Sequence, residues 1–158
     1  MTIETDIFIS VDRNKPLAEQ PHLGHNRWHP DIPPTIEVEP GQVIGIETRD
    51  AFDGQIQPDS NNSDIGQLNL QLVHPLTGPV HVKGALPGDI LEVQVAEIAP
   101  QPFDYTVQVP GFGFLRDVFT EPYIVHWEIA NNQATSVDLP GVQIPGASFV
   151  VWSNPGKN

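Results

Sequence analysis

The chain reads as an all-β domain, a sandwich of jelly-roll type built from short antiparallel strands with little helix. Three observations point there. Thirteen glycines and seventeen prolines are spread along the 158 residues and cut the apolar stretches into short pieces. Those pieces alternate apolar with polar residues, the period of a half-buried strand. No segment holds helical spacing over three turns.

Ile3, Ile7, Phe8, Ile9 and Val11 predict an opening strand that ends near Asp12. Residues 14–24 form a polar loop. His22, His25 and His29 follow at spacings of three and four, which on a helix would share one face. Pro30, Pro33 and Pro34 argue against a helix, because residues before proline avoid the α region. The plain reading is a solvated loop carrying three histidines.

Thr35–Glu39 alternates, with Ile36 and Val38 on one face; Pro40-Gly41 turns the chain, and residues 43–48 return as a strand. Asp50 and Asp53 then stand three residues apart beside Gly54. They could serve a cation or acid/base chemistry, or be a solvated strand end with Arg49 as partner for Asp50. Residues 57–66 are a polar loop without the closing Glu of an EF-hand. Leu68, Leu70 and Leu72 alternate with polar residues, which favours a strand, although Leu and Gln also suit a short helix.

Pro75 and Pro79 restrict the corner His74–Pro79, and Gly78 frees the backbone between them. Rigid loops on sheet scaffolds often carry binding groups. Val80 and Val82 predict the next strand, Pro87-Gly88 a turn, and Leu91, Val93 and Val95 the inward face of another strand. Short strand, Pro-Gly, long strand thus occurs twice, as a weak internal repeat or as convergent turn chemistry. Ala99–Pro102 is a boundary. Tyr105, Val107 and Val109 alternate. In Gly111–Leu115 the glycines interleave with Phe112 and Phe114, giving either a packed loop or an apolar wall beside a pocket. Tyr123, Val125 and Trp127 predict one face of a last strong strand, with His126 on the other. Gly141–Phe149 leads into a further strand.

By size, residues 1–158 are one domain. Twenty acidic residues against seven basic ones give a net charge of −13. That argues against nucleic acid and anionic membrane surfaces as partners. No cysteine is present, so disulfides, thiolate nucleophiles and Cys-ligated zinc are excluded. A reducing cytosol suits such a chain, and a cytoplasmic location is expected. The amino terminus lacks the basic and apolar regions of a signal peptide, and no apolar run reaches bilayer length.

The segment His74-Pro75-Leu76-Thr77-Gly78-Pro79-Val80, followed by Gly84-Ala85 and Pro87-Gly88-Asp89, resembles the signature of the acetamidase/formamidase family. His25–Pro33 is similar to that family's amino-terminal motif in its formamidase branch, and Pro110–Leu115 to a further segment. The resemblance runs from about His25 to Phe149. It implies hydrolysis of short linear amides, formamide or acetamide, to ammonia and the carboxylate. It raises His25, Trp28 and His29 as residues near an active site, and favours Asp50, the acidic residue ending its strand. On this resemblance His74 and Asp50 are the candidates for catalysis, and Thr77, Gly78 and Trp28 for substrate contact. His29, Asp50 and His74 are candidate ligands of a zinc ion, and no organic cofactor is expected.

Family members are about twice this long. They carry a His-Gly-Gly-Asn motif and a Gly-Asp-x-His segment followed by Gly-Asp-Gly-Glu, neither of which occurs here. Residues 150–158 read as a divergent tail. The chain therefore resembles the amino-terminal half of such an enzyme and is expected to be incomplete alone. Its expected partners are a small amide and either further copies of itself or a complementary carboxy-terminal half. The alternative is a non-catalytic β-sandwich of the same descent that binds or assembles.

Overall fold

The structure, a computed structural model, describes residues 3–146. The end of the expected strand entry over residues 141–149, from 147 on, and the tail at 150–158 lie outside the described residues. The chain falls into two compact units, residues 1–96 and 97–158.

The first unit holds β1 (Ile7–Ile9), β2 (Gly24–His25), β3 (Ile36–Val38), β4 (Ile44–Ile46), β5 (Leu76–Thr77) and β6 (Val80–Val82). It also holds a 3-10 turn at Leu17–Glu19 and the helix α1 (Asn62–Ile65). The expectation of a mainly-β chain with little helix is borne out, since among the described residues every other regular element is a strand. Ile9, Val11, Val38, Ile56 and Ile65 are buried and form the unit's core. The short α1 was not foreseen. Asn61 accepts from Ser63 N–H at 2.9 Å, and Asp64 accepts from Asn61 N–H at 2.8 Å, a reciprocal cap that starts the turn.

The pairing departs from the expected antiparallel hairpins. β1 pairs with β4 and β3 with β6, both in parallel, while β2 and β5 are antiparallel. The turn at Pro40-Gly41 forms, with Gly41 at φ 90°, but it sends β3 and β4 to different partners. The parallel register sets Ile7 opposite Ile44 and Ile9 opposite Ile46, so the apolar residues stay matched without a hairpin.

Two more strand expectations fail. Leu68, Leu70 and Leu72 are in no strand: Gln55 binds both main-chain groups of Asn69, and Leu72 N–H closes on the Asn69 carbonyl. Residues 90–96 are in no strand, and Leu91, Val93 and Val95 are 52–73% exposed rather than inside. Their alternation is that of a strand, but among the described residues no ladder is offered to them. Val80 and Val82, by contrast, are half-buried as expected.

The second unit is an antiparallel sheet in the order β10-β9-β8-β7: β7 (Phe103–Gln108), β8 (Tyr123–Ala130), β9 (Gln133–Thr135) and β10 (Gln143–Pro145). Asn131 and Asn132, at φ 51° and 59°, make the two-residue turn between β8 and β9 that matches strand twist. Ile124, Val125 and Trp127 are all buried, so β8 is covered on both faces rather than on the Tyr123 face alone, and Tyr123 is exposed. Trp127 Nε1 donates to Thr106 Oγ1 at 2.9 Å, which satisfies its one polar atom. Phe112 and Phe114 are exposed, so the loop between them is not the packed anchor that was one of its two readings.

Candidate functional site

The predicted site residues lie on connections of the first unit, except Thr77, which ends β5. β4 ends at Ile46 and the chain runs through Glu47 to Asp50. The Asp50 carboxylate accepts from Phe52 N–H at 2.9 Å and from Gly54 N–H at 2.7 Å, so it closes the turn at 50–54. Within that turn the Ala51 carbonyl accepts from His74 N–H at 2.8 Å. The corner that begins at His74 is thus fastened to the turn that Asp50 shapes. His74 is exposed, at φ 57°.

Thr77 and Gly78 are held by the neighbouring elements. The Thr77 hydroxyl donates to the Glu47 carbonyl at 2.7 Å, and Gly78 N–H donates to the Leu23 carbonyl at 3.0 Å. β2 and β5 register Gly24 opposite Thr77 and His25 opposite Leu76. The backbone therefore brings four stretches together: the end of β4, the turn at 50–54, the corner at 74–78 and β2. Trp28 sits past β2, its ring and that of His25 in a T-shaped pair at a centroid distance of 6.1 Å, and is 74% exposed. His29 is also exposed, with Asp31 N–H donating to its Nδ1 at 3.2 Å.

Of the charged side chains that fasten these stretches, Glu47 was not singled out from sequence, and Arg49 has another partner than expected. Arg49 pairs with Asp53, not with Asp50; both side chains are almost fully buried. Asp53 also accepts from Leu17 N–H at 2.9 Å, and the guanidinium donates to the carbonyls of Asp12 and Lys15. The clasp fixes the loop after β1 against the turn at 50–54. Glu47 accepts from Ser10 Oγ at 2.7 Å and Val11 N–H at 2.9 Å. The Ser10 hydroxyl first, then the Val11 amide, hold its carboxyl below the usual glutamate range. Adjacency in sequence suggested Arg49 with Asp50, whereas the left-handed backbone at Asp53 (φ 56°) turns the next carboxylate inward.

Among the described residues no three His, Asp or Glu side chains gather to hold a metal ion. His29, Asp50 and His74 do not form such a set, and main-chain amides occupy the Asp50 carboxylate. As placed, these residues do not by themselves make a zinc site, which needs at least three converging donors. A cavity of about 500 Å³ opens elsewhere in the unit, lined by Phe8, Ile9, His22, Leu23, Pro34 and Ile36 among others; Asp50, His74 and Thr77 are not part of it.

Comparison with known proteins gives a consistent picture. The model of the acetamidase/formamidase family matches residues 10–152. An acetamidase of Mycolicibacterium smegmatis is 37% identical over 154 residues, 89% of this chain and 38% of that protein. A formamidase of Methylophilus methylotrophus is 34% identical over 147 residues, 88% of this chain and 36% of that protein. Among solved structures, a gamma lactamase from Delftia acidovorans is similar with a TM-score of 0.82 at 35% identity, over 88% of this chain and 36% of that one. An acetamidase from Bacillus halodurans is similar with a TM-score of 0.64 at 26% identity, over 73% and 38%. The chain spans under two fifths of the length of each of these proteins.

Proposed function

This chain belongs to the acetamidase/formamidase family, and from that premise we propose that it supplies part of a site hydrolysing short linear amides to ammonia and the carboxylate. The observation that carries the proposal is the family match over residues 10–152, which includes every candidate site residue.

An amide demands attack at the carbonyl carbon, charge stabilisation on its oxygen and a proton for the leaving nitrogen. His74 is the group for proton transfer, since imidazole can both take and give a proton. Asp50 positions it, by closing the turn whose Ala51 carbonyl holds His74 N–H. Thr77 and Gly78 offer polar contacts to the small substrate, and Trp28 an apolar one. The chain spans under two fifths of the acetamidase and formamidase it matches, and the complete site would draw on the remaining part of such a protein. The short strand pairs of the first unit would then be part of a jelly-roll-like sandwich. The absence of cysteine supports a cytoplasmic setting.

The experiment is an ammonia assay on formamide and acetamide. The chain is assayed alone and after co-expression with the part of the Mycolicibacterium smegmatis acetamidase that it does not match. Release near background alone and clear release from the pair is expected. His74→Ala in the pair should lower the rate by at least about a hundredfold. No release from the pair would overturn the catalytic role, and robust turnover by the chain alone would overturn incompleteness. A second reading is favoured by the bare apolar residues 90–95: a non-catalytic sandwich that binds or assembles. It predicts an inactive pair that nevertheless co-purifies.

A further inference from the structure

The turns at Pro40-Gly41 and Pro87-Gly88 are built alike. The N–H before each proline donates to the side chain after each glycine: Glu39 to Gln42 at 2.7 Å, Leu86 to Asp89 at 2.8 Å. The N–H of that polar residue returns to the carbonyl before the proline, Gln42 to Glu39 at 3.3 Å and Asp89 to Leu86 at 3.0 Å. Gly41 and Gly88 have φ of 90° and 104°. The strands that precede the two turns, β3 and β6, pair with each other, with a further turn at Gly84 between β6 and Pro87.

The segments leaving the two turns differ. After Gly41 the chain becomes β4, with β1 laid along it. Val43 N–H donates to the Asp6 carboxylate at 2.7 Å, and the Val43 carbonyl accepts from Asp6 N–H at 2.8 Å. Counted from the glycine, Ile90, Leu91 and Val93 stand where Val43, Ile44 and Ile46 stand. Yet among the described residues no main-chain N–H of residues 90–96 donates to another main-chain group. Ile90 is 96% exposed. The repeat is complete in its turn, but residues 90–96 are in no strand and have no counterpart of β1 beside them.

We propose that residues 90–96 are the docking edge for a parallel β-strand of another polypeptide, seated as β1 is on β4, with a lysine or arginine opposite Glu92. The alternation Leu91, Val93, Val95 matches what β1 meets on β4, and main-chain pairing supplies the rest of the recognition. The charge requirement comes from the position equivalent to Glu92. That position in β4 is Gly45, where an added Cβ would lie 2.3 Å from Phe8 Cδ2, so the missing side chain admits the Phe8 ring. Glu92 fills the same space with a carboxylate, which favours a cation opposite. A second copy of this chain is a poor occupant. Asp89, Glu92 and Glu97 line the stretch, and no lysine or arginine occurs between Lys83 and Arg116, so two such edges would set like charges side by side. The relatives carry more than half their length beyond the part matched here, and that length is the natural source of the strand.

The test uses the whole chain and three peptides of the Thr5–Val11 sequence: unchanged, with Phe8→Lys and with Phe8→Glu. Amide hydrogen exchange at residues 90–96 is followed as each peptide is added. Saturable protection is expected, with the Phe8→Lys peptide binding about fivefold more tightly than the Phe8→Glu peptide. Glu92→Lys in the chain should reverse that order, and Val93→Pro, at an exposed position, should remove the protection. Absence of protection with every peptide would overturn the proposal, as would an order indifferent to Glu92→Lys. Protection that grows with protein concentration in the absence of peptide would overturn it too, by assigning the edge to a second copy. The readout is binding alone, so it stands whether or not amide hydrolysis is observed.

Discussion

Asp50 and Asp53 look interchangeable in sequence, two carboxylates flanking an Ala-Phe pair. In the folded chain they do different work. Asp53 is buried against Arg49 and is one end of a clasp reaching Leu17, Asp12 and Lys15. Removing one member of a buried pair leaves the other charge without compensation, a cost of about 3–5 kcal/mol. Asp50 caps two amides of one turn, and its loss costs about 1–2 kcal/mol. Asp53→Ala should therefore lower stability more than Asp50→Ala when both are measured by urea unfolding. The opposite order would show that the clasp contributes less than the cap. Spacing could reveal that one of these carboxylates meets Arg49, but the choice rests on the left-handed turn at Asp53, which no local pattern announces.

Elements were legible by type and not by partner. Alternation in Ile36–Val38 and Val80–Val82 marks strands correctly, because period two is a property of the chain alone. Pairing depends on distant segments, and in chains of three-residue strands many registers are close in energy. β3 therefore left its neighbour β4 for β6. Two glycines show how tightly the chosen pairings are set. A Cβ on Gly24 would lie 2.4 Å from the Leu76 carbonyl oxygen, which is backbone and cannot move without parting β2 from β5. On Gly45 it would meet the Phe8 ring, which is over half exposed and can swing outward. Gly24→Ala should cost about 2–3 kcal/mol and Gly45→Ala about 1 kcal/mol or less. Equal costs in thermal unfolding would mean that the Phe8 ring is as fixed as the backbone. Because β5 contains Thr77, Gly24→Ala should also disturb the corner proposed to contact substrate.

At the scale of the whole chain, the order of motifs carried the family, since several short segments in sequence are far more specific than any one of them. Of the candidate site, the fold brings the turn at Asp50 and the corner bearing His74, Thr77 and Gly78 together. The expected metal set could not be checked against spacing, because His29 lies in a loop whose course depends on tertiary contacts. Net charge was fully legible, and it has a consequence for stability. Lysine and arginine pairs engage Asp12, Glu39, Glu47 and Asp53. Seven basic side chains cannot match twenty acidic ones, so repulsion among the remaining carboxylates opposes the compact state. Salt weakens both effects, but exposed pairs such as Lys83–Glu39 contribute little, and the excess of negative charge is large. Raising sodium chloride from about 0.02 to 0.3 M shortens the screening length well below the size of the chain. The melting midpoint at neutral pH should then rise by about 2–4 °C, the shift expected from roughly 1 kcal/mol in a chain of this size. A fall over the same range, followed by circular dichroism, would show that the ion pairs outweigh the repulsion and that the acidic surface is already balanced by the fold.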